Sequence, residues 1–318
     1  MGRKRSVSKK TYNRTVPRKA APRRRNSRWV ALIFVILLIA GVVGTLVFQG
    51  GEGTSKVKPI STLHTDDFHS LMFSPDNPEV VYFGHHDGIM RSDDGGRTWR
   101  PQVSRTGFDA MSLVPSRNDS KVSYLAGHEI LQVSRDGGVT WSPMKNNLPG
   151  SDIHAFSTSL ENTQRFYAYI YGNGVFRSDD GGLTWEKISS QLSDIMAIAT
   201  SGGNPETLFA GTYRSGAFRS TDGGKTWVVM KGLAGGIMSI AVDTKAPKTV
   251  YAGGNTGLYK STDGGDSWTQ LDFPGNNIAA LAISPTQPGL LLVINVVGGT
   301  SPKGDVYRSE DGGITWVR

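Results

Sequence analysis

The chain has 318 residues, and 40 of them are glycine, about 13% against an ordinary share of ~7%. It contains no cysteine, which excludes disulfides, thiolate metal sites and cysteine nucleophiles. Twelve of its 35 Lys and Arg residues lie in residues 1–28, which contain no acid, so the rest has 23 basic residues against 27 acidic ones. The net charge of +8 thus belongs to an N-terminal tail, and we predict no nucleic-acid partner.

Residues 29–48 read WVALIFVILLIAGVVGTLVF, twenty residues without a charge. As a helix they are long enough to cross a hydrocarbon layer of ~30 Å. A cleavable signal peptide, the alternative, has a shorter apolar stretch and a small-residue cleavage site, so we predict an uncleaved signal anchor. The preceding basic residues place the N-terminus in the cytoplasm and residues 49–318 outside it, as a single-pass protein of the cell membrane.

Four segments follow from these patterns. We predict a disordered, basic cytoplasmic tail at 1–28, the transmembrane anchor at 29–48, a Gly-rich linker at 49–58 and a folded domain at 59–318. The tail is interpreted as a topology signal, with contacts to anionic lipid or nucleic acid as the alternatives.

One octapeptide, S-x-D-G-G-x-[TS]-W, occurs six times in the folded domain and contains six of the seven tryptophans. Successive copies are 42, 44, 42, 41 and 48 residues apart. Asp-Gly-Gly predicts a tight hairpin turn, because Gly adopts positive φ without steric cost and the Asp carboxylate accepts bonds from its own loop. The box offers too few carboxylates for Ca²⁺, so we assign a structural role to Asp94, Asp136, Asp180, Asp222, Asp263 and Asp311, and to Trp99, Trp141, Trp185, Trp227, Trp268 and Trp316.

Each period also contains four short β-type runs, as in residues 153–188, and shows no helical periodicity. Four strands per ~43 residues is the spacing of a propeller blade. The chain is therefore predicted to be all-β, a single propeller of six four-stranded blades, with seven as the alternative, preceded by one transmembrane helix. The final copy stops at Arg318, so we predict that residues 56–63 pair into the last blade and cover its edge.

The repeated box matches the Asp-box, or BNR, motif. The domain resembles the Asp-box β-propellers: sialidases, xyloglucan-cleaving glycoside hydrolases, the sortilin ectodomain and photosystem II stability/assembly factor-like proteins. The resemblance implies that the boxes lie at the periphery, away from the ligand face. It implies a fold, and leaves function to the loops.

The opposite face should carry the site, since it is built from the turns between second and third strands and from the residues leading into each innermost strand. All six histidines fall between His64 and His154, and most occupy these positions in blades one to three. The candidate ligand-binding residues are His69, His85, His86, His128, His154, Tyr171, Tyr213 and Arg214.

Three interpretations of this face remain open. His85, His86 and His128, with nearby carboxylates, are weak candidates for a divalent-metal site. The residues could instead form a polar ligand pocket, or be solvated loop residues and strand ends. No cofactor is predicted.

We predict a binding or assembly module for a protein or a cell-envelope glycan. The alternative is a glycosyl hydrolase, which needs two carboxylates at a defined separation; its candidates are Asp87, Asp109 and Glu129. A sialidase is disfavoured because the F/Y-R-I-P signature is missing, and xyloglucan-cleaving relatives generally flank a cleft with two propellers, whereas this chain has one. The oligomeric state does not follow from the sequence.

Overall fold

The folded domain is a ring of six four-stranded antiparallel sheets. The structure is a computed structural model, and it describes Gly2 and residues 57–317. The predicted all-β, six-bladed propeller is confirmed, and the seven-bladed alternative is wrong. In the part of the chain that the structure describes, no helix is long and apolar enough to span a bilayer. The predicted anchor at 29–48 and the tail lie outside the described residues.

In blades 1 to 5 the strands follow chain order from the ring axis outwards, and in blade 6 the outermost strand comes from the N-terminal end of the domain. The innermost strands are β2 (Ser70–Phe73), β6 (Ser112–Pro115), β10 (Ile153–Thr158), β14 (Ile195–Thr200), β18 (Ile237–Val242) and β22 (Ile278–Ile283). The second strands are β3 (Val81–His85), β7 (Ser123–Gly127), β11 (Phe166–Ile170), β15 (Leu208–Thr212), β19 (Val250–Gly254) and β23 (Leu291–Val297).

The third strands are β4 (Gly88–Ser92), β8 (Ile130–Ser134), β12 (Gly174–Ser178), β16 (Gly216–Ser220), β20 (Gly257–Ser261) and β24 (Lys303–Ser309). The outermost strands are β5 (Arg100–Ser104), β9 (Ser142–Pro143), β13 (Glu186–Ser189), β17 (Val228–Val229), β21 (Thr269–Gln270) and, in blade 6, β1 (Ser61–Leu63). Neighbouring innermost strands contact one another around the axis, and β22 contacts β2, so the ring is closed.

The N-terminal end of the domain completes the last blade. Strand β1 pairs antiparallel with β24, with Ser61 opposite Val306 and Leu63 opposite Gly304. This confirms the predicted closure, which covers an edge that would otherwise be free to pair with another chain. Arg308 of blade 6 reinforces it, since its Nη2 lies 2.9 Å from Glu79 Oε1 of blade 1.

The hydrophobic core lies between the blades. One cluster joins Tyr82 and Ile89 of blade 1 to Phe108 and Leu125 of blade 2, and an equivalent cluster joins blade 6 to blade 1. Both faces of a blade are covered in this way. This explains why the second strands read as continuous apolar runs: Phe166–Ile170 is buried throughout.

In blades 1 to 5 the box forms the loop between the third and the outermost strand, and in blade 6 it follows the third strand β24. The hydrogen bonds of the boxes are local. In blade 2, Ser134 Oγ donates to Asp136 Oδ1 (2.9 Å) and accepts from Gly138 N (2.8 Å). Asp136 Oδ1 also accepts from Thr140 N (2.8 Å), and Trp141 Nε1 donates to Gly138 O (3.1 Å). Both glycines of every box have positive φ, as the turn prediction requires. In five blades the box is a turn that joins two strands, and in all six it places its Trp against the core.

Candidate functional site

The ends of the strands opposite the boxes form a second face, which we call the ligand face. It consists of the turns between second and third strands and of the segments leading into the innermost strands. Backbone hydrogen bonds join these two sets: Tyr171 N donates to Asp152 O (2.9 Å) and Tyr213 N to Asp194 O (2.9 Å). Hydrogen bonds therefore fix the backbone of the short segments that carry the predicted site residues.

Seven side chains of blades 1 to 3 follow one another along this face. We call them the histidine sector: Asp67, His69, His86, Asp109, His128, Asp152 and His154. In blade 1, His86 contacts the Asp67 carboxylate through Nδ1, and its backbone amide donates to Asp67 Oδ1 (2.9 Å). His69 Nε2 lies 3.1 Å from His86 Nδ1 and 3.5 Å from Asp67 Oδ2.

Asp109 connects blade 1 to blade 2. Its side chain is only 2% exposed, and its Oδ2 accepts from His128 N (3.0 Å) and lies 2.5 Å from His128 Nδ1. Its Oδ1 is buried without a hydrogen-bond partner and lies 3.4 Å from His69 Nε2. The backbone at Gly127 lies very close to the backbone at Asp109. A Cβ atom on Gly127 would therefore be only 1.9 Å from Asp109 O.

Blade 3 ends the sector. His154 Nε2 lies 3.0 Å and His128 Nε2 lies 3.4 Å from Asp152 Oδ1. The His154 ring stacks on that of Tyr171, with centroids 4.9 Å apart and planes at 19°. His128 also stacks on His86 at 5.7 Å, so the rings form a continuous series across two blade boundaries.

Burial lowers the pKa of His69 below its ordinary value, although the negative charge of Asp109 opposes this effect. Burial also lowers the pKa of His154, against the opposing charge of Asp152. Both rings therefore favour the neutral form, in which one ring nitrogen has a free lone pair and can bind a cation.

The structure brings four of the predicted histidines together: His69, His86, His128 and His154. His85, also predicted, lies outside the sector; its ring stacks on Phe83 (5.7 Å) and burial lowers its pKa. Of the weak metal candidates, His86 and His128 therefore share the sector and His85 does not.

The three predicted catalytic carboxylates do not share one environment. Asp109 is buried in the sector, whereas Asp87 and Glu129 are exposed on their turns. Asp87 Oδ1 accepts from Gly107 N (3.1 Å), and Glu129 has a positive φ of 60°.

The sequence analysis did not connect Asp67 and Asp152 to the histidines. The sequence does contain a pattern that links each Asp to a His. A D-x-H spacing occurs at equivalent points of blades 1 and 3, as Asp67-Phe-His69 and Asp152-Ile-His154. In an extended chain residues i and i+2 lie on one side, so each Asp accompanies its His.

Blades 4 to 6 present a different half of the ligand face. Tyr213 and Arg214 are exposed on the turn of blade 4, and Arg214 Nε lies 3.9 Å from Asp194 Oδ2. They border a shallow depression whose other lining residues are Gly235, Gly236, Met238, Asn255, Asn277 and Ala279. The predicted residues Tyr213 and Arg214 are therefore not members of the histidine sector.

Comparisons with known proteins agree with this architecture. The BNR/Asp-box repeat model matches residues 132–143 and 176–187, and the model described as Sortilin-Vps10 (sortilin, neurotensin receptor 3) matches residues 215–318. Among curated proteins, no sequence matches the chain.

Solved propellers are similar in fold at low identity. The GH74 enzyme of Niastella koreensis is 18% identical over 83% of this chain and 46% of its own, with a TM-score of 0.59. The GH74 xyloglucanase of Xanthomonas campestris is 14% identical over 81% of this chain and 54% of its own, with a TM-score of 0.54. YCF48 from Cyanidioschyzon merolae is 18% identical over 83% and 86%, with a TM-score of 0.49.

The chain spans about half the length of the two GH74 enzymes. Its Asp-box repeats and its six blades show that the chain folds as a six-bladed Asp-box repeat β-propeller.

Proposed function

We propose that this protein is a binding module, tethered to the cell membrane through residues 29–48, with its propeller outside the cytoplasm. Its ligand face takes a segment of a partner protein, and a cell-envelope glycan is the second candidate. The observation that carries the proposal is the exposure of Tyr171 (52%) and Tyr213 (56%) on neighbouring blades, with Arg214 (77% of its side chain) beside them.

Tyr and Arg are the residue types that most often dominate the free energy of protein–protein binding. A Tyr side chain offers a large, stiff surface with an apolar ring and a polar hydroxyl, so ordering it on binding costs little entropy. On this face the turns that carry them are already fixed by the hydrogen bonds from Tyr171 N and Tyr213 N. Preorganisation of this kind raises affinity.

The depression next to Tyr213 supports the same proposal. Met238 and Ala279 provide apolar surface within it, and the side chains of Asn255 and Asn277 provide polar groups around it. Apolar surface combined with a few polar groups is the usual composition of a ligand-binding depression.

Binding fits the face better than hydrolysis does. A glycosidase combines an enclosed carboxylic acid with a second carboxylate across the scissile bond. Here Asp87 and Glu129 are exposed, and one oxygen of Asp109 is already bonded to His128. A glycosyl hydrolase is the second candidate function, because propellers of similar fold include GH74 enzymes.

The experiment uses the full chain in detergent micelles, with membrane-fraction extracts and a glycan array as the two sources of ligand. We expect saturable capture of a protein partner that Tyr213→Ala and Arg214→Ala each reduce at least tenfold. The matched controls are Leu183→Ala and Arg135→Ala, exposed residues of box loops at the opposite ends of the strands, which should leave capture unchanged.

Two results would contradict the proposal. Capture that survives both ligand-face variants, or falls equally in the box-loop controls, would place binding elsewhere. Release of sugars from a polysaccharide that disappears in Asp109→Asn or Glu129→Gln would establish the hydrolase instead. A glycan hit that depends on Tyr213 would keep the binding module and change its ligand.

A further inference from the structure

Asp67, His69 and His86, the first three members of the histidine sector, each have one potential metal-ligand atom in the same small region. One nitrogen each from His69 and His86 and one oxygen from Asp67 all lie within 4.8 Å of one another. We propose that Asp67, His69 and His86 bind one divalent transition-metal ion of the Zn²⁺ class, with the carboxylate of Asp109 beside it.

The distances around His69 suit such an ion. In a tetrahedral zinc site, bonds of about 2.0–2.1 Å place the ligand atoms about 3.3 Å apart. His69 Nε2 lies 3.1 Å from His86 Nδ1, 3.5 Å from Asp67 Oδ2 and 3.4 Å from Asp109 Oδ1. The three distances from His69 Nε2 therefore match the separations in a coordination sphere, whereas His86 Nδ1 and Asp67 Oδ2 are in direct contact and must move apart to bind one ion.

Hydrogen bonding alone does not account for this convergence. His69 Nε2 carries at most one proton, yet it faces three potential acceptors at these distances. Moreover, Asp109 Oδ1 is buried, lies beside His69, and has no donor at all. A buried carboxylate oxygen without a partner is costly, and a cation or a water bound to that cation supplies what it lacks.

The charges of the sector point the same way. Among the residues that the structure describes, no Lys or Arg forms an ion pair with Asp67, Asp109 or Asp152. Their only close cationic partners are histidines. Buried carboxylates are normally paired or bound to a metal, so a divalent cation would balance Asp67 and Asp109 together.

The donor set selects the class of metal. Two imidazole nitrogens and one carboxylate oxygen suit Zn²⁺ and its transition-metal neighbours, whereas Ca²⁺ and Mg²⁺ prefer oxygen donors throughout. Three protein ligands leave a coordination position for water or for a group of a bound partner. The inference goes beyond the proposed binding function and is tested with the metal alone.

The test is isothermal calorimetry and metal analysis on the full chain, purified without a histidine tag and stripped with a chelator. We expect one Zn²⁺ per chain. His69→Gln and His86→Gln should each weaken binding at least a hundredfold, and Asp109→Asn about ten- to a hundredfold, as for a group next to the ligands. The ligand-field spectrum of bound Co²⁺ should disappear in His69→Gln.

His64→Gln is the control, since His64 is exposed and lies outside the histidine sector. It should change Zn²⁺ affinity by less than about twofold. The melting temperature of each stripped variant, measured without metal, separates loss of a ligand from loss of the fold. Absence of a 1:1 complex in the wild type, or equal losses in His69→Gln and His64→Gln, would overturn the proposal. Neither result depends on whether a protein or glycan binds.

Discussion

His69 Nε2 and Asp109 Oδ1 face each other at 3.4 Å across the boundary between blades 1 and 2. They are 40 residues apart in the chain, and each belongs to the segment leading into the innermost strand of its own blade. The ligand face is thus built by the packing of neighbouring blades.

The box carboxylates make stability depend on pH in the acid range. Hydrogen bonds, first that of the Thr140 hydroxyl, lower the pKa of Asp136 to about 2, and the same arrangement lowers the pKa of Asp180 to about 2. The unfolded chain binds protons at about 3.8, so the stabilisation is complete above that pH and is lost as pH falls towards 2. We expect the urea midpoint to be flat above about pH 5 and to fall steeply between pH 4 and pH 2.

A double variant isolates this contribution. Asp136→Asn with Asp180→Asn should be less stable at pH 7 and should lose less stability on acidification, because two of the titrating groups are gone. Glu186→Gln, an exposed acid of strand β13, is the control and should follow the wild-type curve. Parallel curves for the double variant and the wild type would contradict the assignment.

Strand β1 should contribute strongly to stability. Leu63 is buried in the cluster that joins blade 6 to blade 1. Leu63→Ala should reduce the free energy of unfolding by about 2–5 kcal/mol, the cost of a cavity in a packed core. Ile314→Ala, at an exposed box position, should stay within about 0.5 kcal/mol in the same urea titration. Similar midpoints for the two variants would mean that β1 does not hold the ring closed.

The contact between Gly127 and Asp109 leaves no room for a side chain at position 127. A Cβ on Gly127 would meet Asp109 O at 1.9 Å, so Gly127→Ala must displace the backbone that holds the Asp109 carboxylate. We expect a loss of about 2 kcal/mol or more in thermal and urea unfolding. Gly299→Ala, which meets nothing within 4 Å, is the matched control and should unfold like the wild type.

The proposed topology can be tested by single-cysteine labelling, because the chain has no cysteine of its own. In intact cells, a membrane-impermeant maleimide should label Ser120→Cys, an exposed position of the propeller, and should not label Ser8→Cys until the cells are opened. Labelling of both positions in intact cells would contradict the proposed anchor. Labelling of Ser8→Cys alone would show that the topology is the reverse of the proposed one.

Much of the architecture could be predicted from repeated local chemistry. Each box places Ser, Asp, two glycines and Thr or Ser within eight residues, and their hydrogen bonds join atoms two to four residues apart. Such a loop folds in the same way wherever it occurs, so its spacing indicated the number of blades. The closing strand was predictable too, because the last copy ends short of an outermost strand.

The candidate site was predictable only in part. Alignment of the copies placed His69, His86, His128 and His154 on one face, but could not separate them from His85, whose ring turns towards Phe83. It also left Asp67 and Asp152 unassigned, since a D-x-H spacing becomes meaningful only when the direction of each side chain is known.

By itself, the sequence determined the repeat, the turns and the strands that each blade requires, because these depend on contacts between residues that are near one another in the chain. Only the tertiary structure decided which polar groups meet. Asp109 lies between His69 and His128 because blade 2 packs against blade 1 at one particular rotation, and its unpartnered oxygen arises from that packing. Distances of this kind are set by the side chains that fill the space between the blades.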